Sequence, residues 1–194
     1  MAASDLGANV FRLLSYGLLA FVAIVILLGF IPPREPEAWS EAGANFAVEL
    51  PESAVWERLQ NLRLAEHYVP GVEGLAMLTD ADRGVGASRR IFQDGGLTLD
   101  ETVVEWEEGS GFVIRLHQGH GGPPPPFRNA RFRYWIESSD ESGTELSLTM
   151  HYQPSAGLLG EWLDNSFFNE EMNRRMESLA SSMKAYYESS ARVR

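Results

Sequence analysis

The run of residues 13–31 constrains this chain more than any other segment, because it is apolar and carries no charge over its whole length. As an α-helix it would span about 28 Å at a rise of 1.5 Å per residue, close to the ~30 Å of a bilayer's hydrocarbon core. Pro32 and Pro33 then end the helix. A helix buried in a protein core normally keeps a polar face, and this run has none. The sequence therefore predicts an N-terminal transmembrane helix from Leu13 to Ile31.

A cleaved signal peptide is the alternative interpretation of this run. Its hydrophobic part is longer than the usual 7–15 residues, and the small-residue sequence at 42–44 lies too far downstream to be a cleavage site. We favour an uncleaved single-pass anchor in the cell membrane, preceded by a tail of residues 1–12. Arg12 and Arg34 flank the run almost evenly, and the N-terminal amine slightly favours a soluble part outside the cytoplasm.

Composition limits the function of the remaining chain. The net charge of −11 argues against a nucleic-acid partner, which would need a concentrated basic surface. The chain has no cysteine, which excludes disulfides and thiolate metal sites. No metal-ligand spacing, nucleophile motif or phosphate loop occurs, so we expect no metal and no cofactor. Residues 32–41 are polar and proline-rich, which is typical of a short linker, and residues 42–190 form one domain.

Hydrophobic periodicity after the linker predicts an α+β domain. Apolar and polar residues alternate in several short segments that turn residues separate, which is typical of antiparallel strands with one covered face. Pro51 and the spacing of Val55, Trp56 and Leu59 predict a short helix near the first strand. The predicted strands are residues 46–50, 72–79, 87–93, 97–106, 112–118, 128–137 and 144–152, and the two short helices are residues 52–60 and 62–68.

The last predicted element is a long amphipathic helix over residues 158–189. Large apolar side chains recur along one broad face, and acidic residues precede basic ones, as the helix dipole prefers. A helix of about 30 residues is about 45 Å long and can cross a whole sheet. The apolar face comprises Leu159, Leu163, Phe167, Met172, Met176, Leu179, Met183 and Tyr186.

The order of these elements resembles the helix-grip fold of the START/SRPBCC superfamily, in particular its polyketide cyclase/dehydrase and lipid-transport branch. The resemblance covers about residues 44–188. It is carried by AVELPESAVWERLQN, LAEHYVPGVEGL, LTLDETVVEWEEGSGFVIRL and the strand-to-helix junction that begins HYQPSAGLLGEWLDN. It implies a seven-stranded curved antiparallel sheet wrapped on the long C-terminal helix, with two short helices between the first two strands. The predicted membrane anchor departs from the usual soluble member.

The resemblance also implies an apolar cavity between sheet and helix, and it leaves three functions open. The first is non-catalytic binding of a hydrophobic small molecule or lipid by a membrane-anchored domain. The second is a polyketide cyclase/dehydrase-like enzyme, which requires at least two inward polar groups within hydrogen-bond reach of one point. The third is a protein-interaction module without a ligand, which predicts a packed interior.

Candidate ligand-binding residues follow from the predicted apolar faces. Tyr134 and Tyr152 are favoured because a buried tyrosine hydroxyl needs a partner, which is either a group of the core or the polar end of a ligand. His67 and His120 are predicted at the mouth of the cavity. The other predicted cavity residues are Phe132, Leu148, Met150, Phe167, Met172 and Met176.

The remaining polar groups receive weaker interpretations. Arg90 and Gln118 are secondary candidates for contact with a ligand. His117 and His151 alternate with apolar residues, so we expect them to face solvent. The acidic residues between Asp100 and Glu108, Glu101 among them, are interpreted as a solvated edge. Arg128, Arg131 and Arg133 form a basic stripe that is interpreted as strand exterior rather than an anion site.

Overall fold

The computed structural model describes residues 2–35, 37–140 and 143–191. Its first element is helix α1 (Ala2–Phe30), which starts well before Leu13, so most of the predicted N-terminal tail is helical. No proline interrupts this part of the sequence. Within these described ranges, no helix is both long enough and apolar enough to cross a membrane. The transmembrane helix from Leu13 to Ile31 stays a prediction.

Seven strands form one curved antiparallel sheet with the order β1-β7-β6-β5-β4-β3-β2. Strands β2 to β7 follow one another as neighbours, as their short connections favour. The strands are β1 (Ser40–Val48), β2 (Val72–Met77), β3 (Ser88–Gln93), β4 (Leu97–Glu107), β5 (Gly111–His117), β6 (Phe127–Asp140) and β7 (Gly143–Pro154). The predicted helix-grip sheet is confirmed.

Two short helices carry the chain from β1 at one edge of the sheet to β2 at the other. Helix α2 (Glu52–Leu59) begins directly after Pro51 and buries Val55, Trp56 and Leu59. A 3-10 turn (Leu62–Leu64) leads into α3 (Ala65–Tyr68). Both helices lie where the sequence predicts them.

The C-terminal helix is long, as predicted, but it is not one regular α-helix. Helix α4 (Gly157–Leu163) passes through a π turn (Asp164–Phe168) into α5 (Asn169–Ala191). Helix α5 packs against β1 and buries Met172, Met176, Leu179 and Met183. A π turn holds one more residue than an α turn, so it shifts the helical phase between α4 and α5.

The end of α1 is fastened to the start of α4. The Leu158 N–H donates to the Ile31 carbonyl at 2.9 Å, and the Arg34 N–H donates to Glu161 Oε2 at 3.0 Å. Gly157 has a φ of +54°, and a Cβ atom there would lie 2.0 Å from the Ile31 carbonyl oxygen, so only glycine fits. Because β1 begins at Ser40, the segment between α1 and the sheet ends before the predicted boundary at residue 41. The start of this segment is bound to α4 through Arg34.

Candidate functional site

A cavity of about 460 Å³ lies between the inner face of the sheet and the first half of α5. Strand alternation builds its sheet side, since every second residue of β3, β4 and β6 points into it. Its lining residues are Val69, Pro70, Gly71, Arg89, Ile91, Gln93, Leu99, Glu101, Leu116, Phe132, Tyr134, Met150, Met172, Arg175, Met176, Ser178 and Leu179.

Most of the cavity wall is apolar. Phe132 and Met150 face each other across β6 and β7, and Leu116 continues this surface on β5. Met172 and Met176 lie one helical turn apart on α5 and close the opposite side. Unbranched methionine side chains adapt to irregular shapes, so this wall can adjust to ligands of different outline.

A buried ion pair forms the polar part of the cavity. Arg89 on β3 is 2% exposed, and its Nη2 atom lies 2.6 Å from Oε2 of Glu101 on β4. The guanidinium also donates through Nη1 to the Leu62 carbonyl. Burial alone would lower the pKa of Arg89, but the Glu101 carboxylate beside it raises that pKa above its ordinary value. Arg89 therefore keeps its positive charge at this buried position, directly beside the Glu101 carboxylate.

Tyr134 adds a hydroxyl beside this ion pair. Burial raises the pKa of Tyr134 well above its ordinary value, so the phenol stays protonated. The positive charge of nearby Arg89 lowers that pKa, but by less than burial raises it. Among the hydrogen bonds of the described residues, none is donated by the Tyr134 hydroxyl, which leaves its proton available to an acceptor in the cavity.

The mouth of the cavity is formed by a turn and a hairpin tip. Gly71 ends the turn after α3 with a φ of +76°, and its carbonyl accepts the Asp94 N–H at 3.1 Å. This bond joins the turn to the β3–β4 hairpin, where Gln93 lines the cavity. Arg175, two-thirds exposed and paired with Glu171, borders the opening from α5.

The structure brings five of the predicted cavity residues to this site, namely Phe132, Tyr134, Met150, Met172 and Met176. Leu148 is fully buried in the core outside the lining. Phe167 is 55% exposed on the outer side of the π turn, which shifts the helical phase and turns Phe168 toward the core instead.

Tyr152 belongs to a separate buried network. Its hydroxyl donates to Asp164 Oδ1 at 2.7 Å and accepts from the Asn169 side chain at 3.1 Å. Ser40 donates to the other oxygen of Asp164 at 2.5 Å. Burial, followed by the hydrogen bond that Tyr152 donates to the Asp164 carboxylate, raises the pKa of Tyr152. This network ties the π turn to β1 and β7, so the hydroxyl serves the fold and not the cavity.

The histidines do not assemble around the cavity. His67 is half-exposed and stacks on Tyr186 with ring centroids 5.3 Å apart, and His120 is exposed in the loop after β5. His117 was expected to face solvent, but it is buried and bonds the Thr102 hydroxyl at 2.8 Å and the Gly119 carbonyl at 2.7 Å. The loop after β5 folds back over the outer face of the sheet and covers the His117 side chain.

Sequence reasoning missed Arg89 and Glu101. It selected Arg90, whose guanidinium pairs with Asp100 at 2.7 Å on the outer face, and it placed Glu101 on a solvated edge. Gln118 is also exposed. The missed signal is alternation: Arg89 shares a strand face with Ile91, and Glu101 lies between Leu99 and Val103 on one face. Within the described ranges, no cluster of histidine and carboxylate side chains could hold a metal ion.

A curved antiparallel sheet that packs on a terminal helix, with an apolar cavity between them, defines a helix-grip protein. Residues 44–188 match the family described as polyketide cyclase / dehydrase and lipid transport, and the chain belongs to this family. No curated protein sequence matches the chain.

Solved structures with low sequence identity share the fold. A START superfamily protein from Mycobacterium smegmatis has a TM-score of 0.59 at 14% identity, covering 77% of this chain and 97% of that one. The Zhui aromatase/cyclase from Streptomyces sp. R1128 has a TM-score of 0.59 at 16% identity, with 81% and 97% covered. Major latex-like protein 151 from Panax ginseng has a TM-score of 0.59 at 12% identity, with 77% and 97% covered.

Proposed function

We propose that this protein binds a hydrophobic small molecule or lipid in the cavity between the sheet and α5. The observation that carries the proposal is the 460 Å³ cavity, whose wall is apolar except at Arg89, Glu101, Tyr134, Ser178 and the mouth. Ligand pockets of this kind combine a largely apolar wall with a few polar groups that orient the ligand. The family, whose description includes lipid transport, supports the same function.

The polar groups at the ion pair define the kind of ligand. A charged ligand end would upset the balance between Arg89 and Glu101, whereas a neutral oxygen can accept the Tyr134 proton. The proposed ligand is therefore an apolar molecule with a carbonyl or hydroxyl group at one end.

Filling the cavity tests this proposal. In Met176→Trp the larger side chain enters the cavity from α5, while in the matched control Glu177→Trp the same residue is added to the exposed side of that helix. Native mass spectrometry of the detergent-purified full chain should show a copurifying apolar molecule in the wild type and in Glu177→Trp, and its loss in Met176→Trp. Equal ligand retention in both variants, with unchanged circular dichroism, would contradict binding in this cavity.

A cyclase or dehydrase activity is a second candidate, favoured by one observation. The polar residues predicted at the cavity are dispersed, since Tyr134 lines it and Tyr152, His67 and His120 do not. Arg89, Glu101 and Tyr134 nevertheless converge on one region, as acid–base chemistry requires. Cyclisation of a poly-β-ketone thioester by the wild type, and its loss in Tyr134→Phe with binding retained, would support an enzyme.

The third candidate, an interaction module, predicts a packed interior, and the cavity argues against it.

We also propose that α1 holds the protein at the cell membrane as a single-pass anchor, with the domain outside the cytoplasm. Support comes from the charge-free run and from the exposure of its side chains, which reaches 63% for Phe21, 64% for Leu18 and 81% for Phe30. So much exposed apolar surface is unfavourable in water. Carbonate-resistant membrane association, together with a C-terminal reporter active in only one compartment, tests both parts. Release by carbonate would reject the anchor.

A further inference from the structure

The outer face of the sheet contains a cleft where β5 and β6 separate. Their pairing ends at Arg115 and Arg131, although β5 continues to His117 and β6 begins at Phe127. A space of about 360 Å³ opens there, bordered by the loop residues Gly121 and Gly122. It lies on the opposite side of the sheet from the ligand cavity.

Two arginines lie at the closed end of this cleft. Arg115 and Arg131 are directly opposite each other in the antiparallel register, so their Cβ atoms are roughly 5 Å apart. Like charges in this position destabilise a sheet. The chain has 27 acidic and 16 basic residues, yet the described residues that line the cleft include these two arginines and no carboxylate.

The neighbouring acids compensate only part of this charge. Glu105 lies 3.7 Å from Arg131, and both side chains are about half-exposed. Across from Arg131 on β7, His151 lies 3.7 Å from Glu41. The Arg115 side chain makes no ion pair and no hydrogen bond with the described part of the chain, although its backbone belongs to the β-ladder. One guanidinium of the pair is thus available to a ligand.

The remaining groups suit an anion carried on a larger molecule. Guanidinium groups bind phosphate oxygens through paired N–H donors, and two such groups can share one phosphate. The Arg131 guanidinium lies 5.6 Å from the ring centre of Trp39, which keeps it at the cleft. The space is larger than a phosphate group, and the Trp39 ring supplies an apolar surface at its edge.

We propose that Arg115 and Arg131 form a second binding site, on the outer face of the sheet, for a phosphate group. The phosphate is that of a phospholipid headgroup or of a free phosphate compound. This site is independent of the apolar cavity, so failure of one proposal leaves the other intact.

The test uses the full chain in a neutral detergent with two probes, inorganic phosphate and dihexanoyl-phosphatidic acid. Phosphorus NMR line broadening gives the affinity for each. Arg115→Gln should weaken binding about tenfold, because a hydrogen bond to a charged group contributes roughly a factor of ten or more. Arg131→Gln should do the same, and the matched control Arg174→Gln, on the exposed side of α5, should leave the affinity unchanged. An effect on both probes identifies a general phosphate site, and an effect on phosphatidic acid alone identifies a headgroup site.

Two results would overturn the proposal. One is an affinity for both probes that neither Arg115→Gln nor Arg131→Gln changes. The other is an equal loss in Arg174→Gln, which would show attraction by net charge instead of a site. Circular dichroism of each variant establishes that the fold is retained.

Discussion

Two arginine–carboxylate ion pairs join β3 to β4 at neighbouring positions, but they lie on opposite faces of the sheet. Arg89 pairs with Glu101 inside the sheet, where the two side chains are 2% and 11% exposed. Arg90 pairs with Asp100 on the outer face, where the guanidinium is 41% exposed. Strand alternation alone assigns one pair to the cavity and the other to the surface.

The difference shows that position, not residue type, decides what an ion pair does. The outer pair gains less from its attraction, because solvent reaches the Arg90 guanidinium and screens its charge, although the Asp100 carboxylate is only 4% exposed. The inner pair is removed from water, and the cost of this desolvation offsets most of the attraction between the two charges. The intact pair therefore contributes little to the free energy of unfolding, although the loss of either partner would lower it strongly. What the inner pair provides is a fixed polar point in an apolar cavity, next to the Tyr134 hydroxyl.

The largest effect should come from breaking the inner pair. Glu101→Ala leaves the Arg89 charge buried without its partner, which should lower the free energy of unfolding by about 3–5 kcal/mol. Urea unfolding of the detergent-purified chain measures this change. Glu105→Ala, an exposed acid on the same strand, is the control and should change it little.

Removing the whole pair sharpens the same comparison. The double variant Arg89→Met, Glu101→Leu should recover most of the stability lost in Glu101→Ala, because no charge remains buried. A double variant as unstable as the single one would show that the pair itself stabilises the fold.

The carboxylate of Asp164 extends the comparison to a buried acid that is held by hydroxyl groups. Asp164→Ala removes the acceptor of Tyr152 and Ser40, so the free energy of unfolding should fall by about 2–3 kcal/mol. Ligand retention in native mass spectra should stay unchanged, since Asp164 does not line the cavity. Loss of the ligand in a folded Asp164→Ala protein would contradict the separation of the two networks.

Tyr134→Phe tests the polar point itself. It should weaken binding of 2-acetylnaphthalene about tenfold, since one hydrogen bond of roughly 1–1.5 kcal/mol is lost. The hydrocarbon analogue 2-isopropenylnaphthalene should bind both proteins equally. Comparing proteins in one detergent by fluorescence titration cancels probe partitioning. Tyr152→Phe is the matched control and should not change either affinity.

The smallest effect concerns the outer pair and depends on pH. The Arg90 hydrogen bond holds the pKa of Asp100 below its ordinary value of 3.8. A carboxyl with a lowered folded pKa stabilises the protein fully above its ordinary pKa, and this stabilisation is lost as the pH falls through the folded pKa. Below about pH 4 the urea midpoint of the wild type should fall with pH, and it should fall less steeply in Asp100→Asn. The exposed control Asp82→Asn should show the same steepness as the wild type. A parallel fall in wild type and Asp100→Asn would refute this contribution.

The fold was largely predictable because its signals are local. Alternation and turn residues gave all seven strands, with β1 the most displaced because its first half, residues 40–45, lacks large apolar residues. The cavity wall was predictable for the same reason at Phe132 and Met150. Arg89 and Glu101 were not recognised, because charged residues are assigned outward unless their partner on the neighbouring strand is known. The burial of His117 depends on a loop that folds over it, which no local pattern indicates.

The π turn has a consequence for how the C-terminal segment can change in length. One residue rotates an α-helix by about 100°, so deleting one residue from 164–168 would regularise the helix and swing Trp162 and the rest of α4 around its axis relative to α5. Helix α4 could then no longer meet Ile31 through Leu158. The number of residues in this segment thus sets the direction in which the N-terminal helix leaves the domain, whatever their identity.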